Sequence, residues 1–259
     1  MQSTIQPAKP QLSRDELTRL WSKLGIAYAT PPTSVPVDPE RTLLYSLEHV
    51  SHQRKSLRLI AAWLSTYGDL IHVERVVCLM RNGAWIDDSA EMRPARTLAA
   101  LADRLVEQGD RRWNAVITEA KRTLGESPTQ LPASEDEVFL LGRDGTDAHF
   151  YKFGISTSSL MLGDDVTDRS VNKKIRLREH VLTENPWLRL RSAIGTNWRA
   201  DMLFIILAGL AKNPFQASRA LGCSYETAHR IWNAAAAAKV KELFQTDAWG
   251  ERQGPLPDP

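Results

Sequence analysis

Apolar residues recur along this chain every three to four positions, in separate stripes, which is the spacing that lines one face of an α-helix. The first stripe is Leu17, Leu20, Trp21 and Leu24. Ser13 and Glu16 precede it at capping-box spacing, and Gly25 stops it. Leu43, Leu44, Leu47 and Val50 form a second stripe. Leu57, Ile60, Ala61 and Leu64 form a third, ended by Tyr67-Gly68. Leu70, Val73, Val76, Val77 and Met80 run to Asn82-Gly83, and Leu98, Leu101, Ala102 and Leu105 run to Gly109. Trp113, Val116, Ile117 and Ala120 complete the set. Helices of this length with short breaks pack as antiparallel neighbours, so 38–125 is expected to be a helical bundle with Trp63, Trp85 and Trp113 as core anchors.

The breaks between stripes set the domains. Residues 1–37 hold the first helix and a linker rich in proline (Pro31, Pro32, Pro36). In 126–168, nine carboxylates face only Arg143 and Lys152, a net charge of −7. There Val138–Gly142 and Phe150–Phe153 flank a turn at Gly145, as a small β-hairpin or a structured loop. Residues 169–200 reverse the sign: eight cations against Glu179 and Glu184, a net of +6. Within them Leu177–Leu182 is expected to be a helix ending before Asn185-Pro186, and Trp187–Arg191 another, broken by Gly195. An apolar helix over Asp201–Lys212 follows, and 250–259 is a Gly/Pro-rich tail. The expected fold is mainly α.

The most informative stretch runs from Asn213 to Asn233. Pro214 suits the first turn of a helix, Gly222 suits a left-handed C-cap, and Ser224 can cap a second helix with Glu226 in its first turn. Ser218 is small enough for close helix approach, and Leu221, Ala228 and Ile231 can pin the pair. The second helix is expected to continue through Ala234–Ala238 to about Phe244. The turn glycine, the small residue four before it and the apolar residues six and nine after it resemble a helix-turn-helix DNA-binding motif.

That resemblance implies a DNA-binding domain over 169–249, with the N-terminal residues of its second helix against base edges in the major groove. By position, Ser224, Tyr225, Glu226, His229, Arg230 and Asn233 are the candidate base-facing residues. Arg230 suits guanine, Asn233 adenine and Glu226 cytosine. Gln216, Arg219 and Tyr225 are candidate phosphate contacts, and Lys173 and Lys174 are expected to add phosphate contacts from the basic stretch. Arg189 and Arg191 could dock on phosphates or meet the acidic segment of the same chain. Twofold DNA sites favour twofold proteins, so a homodimer is expected.

The remaining composition narrows the classes. In 259 residues, 42% hydrophobic and 25% charged, the longest apolar run is Met202–Ala211, about half of the roughly 20 residues a membrane span needs. With no apolar core in Met1–Pro10 and only Cys78 and Cys223, a cytosolic setting is expected. The histidines His49, His52, His72, His149, His180 and His229 lack metal-ligand spacing, so no metal or cofactor is expected. Leu160–Asp165 superficially resembles the Gly-Asp-Asp turn of palm-type polymerases, but no companion motif, phosphate loop or nucleophile elbow accompanies it. A non-enzyme is expected.

The layout as a whole is helical N-terminus, middle segment, Asn-Pro-Trp-Leu-Arg and C-terminal motif. It is similar to that of bacterial antitoxin-type regulators paired with nucleotidyltransferase-type toxins. The resemblance implies an antitoxin that represses its own operon and binds a toxin. The competing class is a protein-interaction module that neutralises a partner without DNA.

Overall fold

Ser13 starts the first helix, α1 (Arg14–Lys23), through the capping box its spacing predicts. Its hydroxyl accepts the Glu16 N–H at 3.2 Å, and Glu16 Oε2 accepts the Ser13 N–H at 2.7 Å. The Ser13 hydroxyl, donating to the same Oε2 at 2.7 Å, and the Ser13 N–H together hold the Glu16 carboxyl below its usual range. A computed structural model of the chain describes residues 12–50, 54–82, 93–124, 152–153 and 169–243. They are mainly helical, and no described helix is long and apolar enough to cross a membrane. The chain divides into two units, 1–185 and 186–259.

The first unit contains α2 (Pro39–Val50), α3 (Arg54–Tyr67), α4 (Val73–Arg81), α5 (Arg93–Glu107) and α6 (Asn114–Leu124). After them come the short α7 (Arg169–Asn172) and α8 (Arg178–Glu184). The apolar stripes face inward: Leu43, Leu47, Leu57, Ile60, Val76, Leu98 and Trp113 are fully buried. Helix α5 packs on α2, α3 and α6 along its small Ala99, Ala100 and Ala102. Trp63 sits edge-on to Trp21 at 5.4 Å and donates its indole N–H to the Leu24 carbonyl at 2.7 Å. The stripe expected to begin at Leu70 instead opens with a 3₁₀ turn, Gly68–Leu70, and α4 starts only at Val73.

Charge is buried here too. Arg75, with no exposed surface, donates to Glu40 at 2.5 Å and grips Asp38 with both terminal nitrogens. A buried guanidinium persists only with such partners. Burial alone would push the Asp38 carboxyl up, but Arg75, aided by Arg41, holds it below the ordinary value.

The expected domain boundary at 169 is corrected. Residues 169–185 belong to the first unit, because their backbone is tied to the end of α1. Ala27 N–H donates to the Lys174 carbonyl at 2.7 Å and Arg176 N–H to the Gly25 carbonyl at 2.8 Å, around a single Ile26–Ile175 bridge. Gly25 has φ +101°, and a Cβ on it would lie 2.4 Å from Val181 Cγ2, so both its conformation and its clearance require glycine. Arg178 pairs with Asp69 at 2.7 Å and Lys23 with Glu184 at 3.2 Å. Of the expected positive patch, Arg178 is therefore matched by a carboxylate of the same unit.

The proposed hairpin, Trp85, the Gly163-Asp-Asp165 turn and the tail lie outside the described residues. Lys152 and Phe153 alone are described from that region. Lys152 is helical and pairs with Asp103 at 2.6 Å, and the buried Phe153 accepts from Arg96 through its carbonyl at 3.0 Å.

The second unit holds α9 (Pro186–Ile194), α10 (Trp198–Leu207), α11 (Pro214–Leu221), α12 (Tyr225–Ala237) and the short α13 (Val240–Leu243). Helix α10 is apolar nearly all round, as a central helix must be, and packs against α9, α11 and α12. It ends at Leu207 rather than Lys212, because Gly209 (φ +68°) turns the chain first. Helix α12 also ends earlier than expected. Lys239 adopts a left-handed conformation (φ +48°) and separates it from α13.

Candidate nucleic-acid interface

The 213–233 stretch folds as two helices joined by Gly222, Cys223 and Ser224. Each end is specified locally. Pro214 occupies the first turn of α11, and the Asn213 side chain accepts the Gln216 N–H at 2.9 Å. Gly222 takes φ +79° and returns its N–H to the Ser218 carbonyl at 2.8 Å, the left-handed stop that glycine permits. Ser224 Oγ then accepts the Thr227 N–H at 3.2 Å and opens α12. Ala217, Ser218, Leu221 and Ala228 are buried between the helices. A larger side chain at Ser218 or Ala228 would overpack the pair, at a cost of about 1–3 kcal/mol.

Burial of Ala228 and Ala235, with Ile231 and Trp232 half-buried, turns the opposite side of α12 to solvent. Tyr225, Glu226, His229, Arg230 and Asn233 are all exposed on it. Five of the six candidate base-facing residues therefore share one surface. At about 1.5 Å per residue the stripe spans roughly 12 Å, comparable to the width of the DNA major groove. Glu226 precedes Arg230 by four residues, the favourable order for a helical charge pair. The sixth, Ser224, is exposed at the cap, with its hydroxyl engaged by Thr227.

On α11, Gln216 and Arg219 are exposed. Gln216 Oε1 accepts the Lys212 N–H at 2.8 Å, so the Gln216 carbonyl faces its own backbone. Sequence reasoning missed Phe215, which is 57% exposed with the Arg219 guanidinium 6.0 Å from its ring centre. The signal was present: with Ala217, Ser218 and Leu221 facing inward, helical periodicity puts residue 215 outside.

The basic candidates separate. Arg189 is exposed on α9 in the second unit, whereas Lys173 (exposed) and Lys174 (half-buried) belong to the first. Arg191 is a correction. It retains 1% exposure, and its Nε donates to the buried Asp201 Oδ1 at 2.7 Å. Asp201 Oδ1 also accepts the Trp187 indole N–H at 2.6 Å, and Trp187 stacks on Phe204 at 4.5 Å. Arg191 cannot reach a phosphate from this position. It neutralises an internal carboxylate and joins α9 to α10.

Compared with known proteins, the chain matches no family model, no curated protein and no solved structure.

Proposed function

We propose that Pro214–Ala237 is a helix-turn-helix whose second helix enters the major groove of double-stranded DNA, and that the chain is a sequence-specific transcriptional regulator. One observation carries this reading. The packed face of α12 is made of small and apolar residues, and its exposed face presents Glu226, His229, Arg230 and Asn233 within two to three turns. Those side chains have the donors and acceptors that base edges require: a fork for guanine, an amide for adenine, a carboxylate for cytosine. Arg219 and the Gln216 amide nitrogen are placed by the reading on the flanking phosphates. Two copies on a twofold site would supply the homodimer.

The test is a gel-shift titration of the full chain with duplexes selected from a randomised pool, comparing it with Arg230→Ala. The substitution lies on the exposed face, so the circular dichroism spectrum should be unchanged. Discrimination at one base pair should fall by about 1–3 kcal/mol. Unchanged affinity and base preference in that variant would remove α12 from the groove.

An antitoxin role rests on the similarity of layout alone. The Asn-Pro-Trp-Leu-Arg stretch that contributed to it is accounted for by packing, since Asn185, Trp187 and Leu188 are all buried.

A further inference from the structure

Where α12 runs into α13, the second unit carries a groove of about 280 Å³. Ile206, Trp232, Ala235 and Val240 form its apolar wall, and Lys241 and Glu242 stand on its rim. Ala235 belongs to the buried core, whereas Trp232 and Val240 are only half-buried against it. Ala236, also on the wall, is exposed. The apolar side chains here are packed on one side and face water on the other.

The size and the charges of the groove narrow what fits it. Small-molecule sites ordinarily hold roughly 300–1,000 Å³ and close over most of their ligand. This groove falls below that range, and its mouth lies between exposed residues, which suits the side chains of another helix. Ala236 has no side chain beyond Cβ and leaves room for a second backbone. Lys241 and Glu242 are consecutive and opposite in sign. Within one copy Glu242 makes an exposed pair with Lys239 at 3.7 Å, a contact of a kind that contributes little. A second α13 laid antiparallel across a twofold axis would set each Lys241 against Glu242 of the other copy, twice over. Laid parallel, like charges would meet. Such self-complementarity is what an isologous interface requires.

We infer that the α12–α13 groove is the surface through which two copies of this chain pair. The inference deepens the reading above by locating the contact between the two copies, and it rests on that reading only for the twofold DNA site. The pairing itself is measurable without DNA. The groove uses none of the exposed residues from Tyr225 to Asn233, so both reading stripes stay available to a duplex.

The experiment is sedimentation equilibrium of the full chain without DNA, over about 1–100 μM. The wild type should be dimeric within this range. Ala236→Glu puts a charge at an exposed helical position, so the circular dichroism spectrum should be unchanged. It should raise the dimer dissociation constant about tenfold or more. Lys241→Glu and Glu242→Lys each set like charges opposite one another and should have a similar effect. Combining the two reversals restores both pairs, and the dissociation constant should return to within about threefold of the wild type. A partner other than a second copy would give no such mutual rescue.

A chain that stays monomeric across the range overturns the inference. So does a dimer indifferent to Ala236→Glu, or a double reversal no better than the singles. In each of these cases duplex binding by a single copy still stands. A dimer that behaves as expected but recovers no duplex from a randomised pool overturns the DNA-binding reading and leaves the pairing in place.

Discussion

Replacing Arg191 by methionine separates a structural role from a phosphate-binding one. The side chains are similar in length, so little volume is lost, but the Asp201 carboxylate keeps its charge in a site with no exposed surface. It would retain the Trp187 N–H, now bonded at 2.6 Å, and lose the Arg191 Nε–H, now at 2.7 Å. Removing one partner of a buried ion pair costs about 3–5 kcal/mol. That is a large share of the roughly 5–15 kcal/mol that stabilises a domain. Urea unfolding followed by circular dichroism should show the loss, and hydrogen exchange should place it in 186–207. Asp201→Asn should also destabilise, by leaving the guanidinium uncompensated. In the double variant both charges are gone, while the asparagine oxygen can still accept from Trp187. The double variant should therefore be more stable than the sum of the singles predicts, by about 1–3 kcal/mol. It should also keep the wild-type salt dependence of DNA binding, since no phosphate contact is removed. A loss under 1 kcal/mol in Arg191→Met, or purely additive singles, would refute the buried-pair argument.

Gly25→Ala should destabilise the first unit by about 2–5 kcal/mol, combining positive-φ strain with the clash against Val181. Gly109→Ala, at φ +104° but with nothing within 4 Å, should cost less, and the difference in thermal unfolding isolates the clash. If the basic stretch touches DNA, Lys173→Ala with Lys174→Ala should flatten the slope of log affinity against log salt by up to about 2, and an unchanged slope places both lysines off the duplex. The Asp38 carboxyl titrates lower in the folded protein than in the unfolded chain, so its stabilisation is present above the unfolded value near 4 and lost as pH falls through the folded one. Urea midpoints at pH 6 and pH 3 should therefore converge more in Asp38→Asn than in the wild type.

Local chemistry was legible in the sequence wherever one or two turns of backbone decide the outcome. Ser13 with Glu16, Pro214, Gly222 and Ser224 each form the cap or stop that their spacing implies, and the inward stripes are the core. The outward residues of α12 follow from the same periodicity. Pairing across the fold was not legible. Arg191 and Lys173 both add one positive charge to a count along the chain. Only the tertiary packing gives Arg191 a buried carboxylate one helix away and ties the Lys173 stretch to the end of α1. Helix ends set by a non-glycine left-handed residue, as at Lys239, leave no compositional mark.

On the proposed DNA-binding reading, the early stop at Lys239 limits how much text α12 could read. Beyond Asn233 the helix offers only alanines before it turns. At about 3.4 Å per base pair, a reading edge of roughly 12 Å covers three or four letters. An address of three or four letters recurs by chance roughly every 60 to 260 base pairs of random sequence. A single copy would therefore be a scanner, and selective control would come from two reading heads set one helical turn apart.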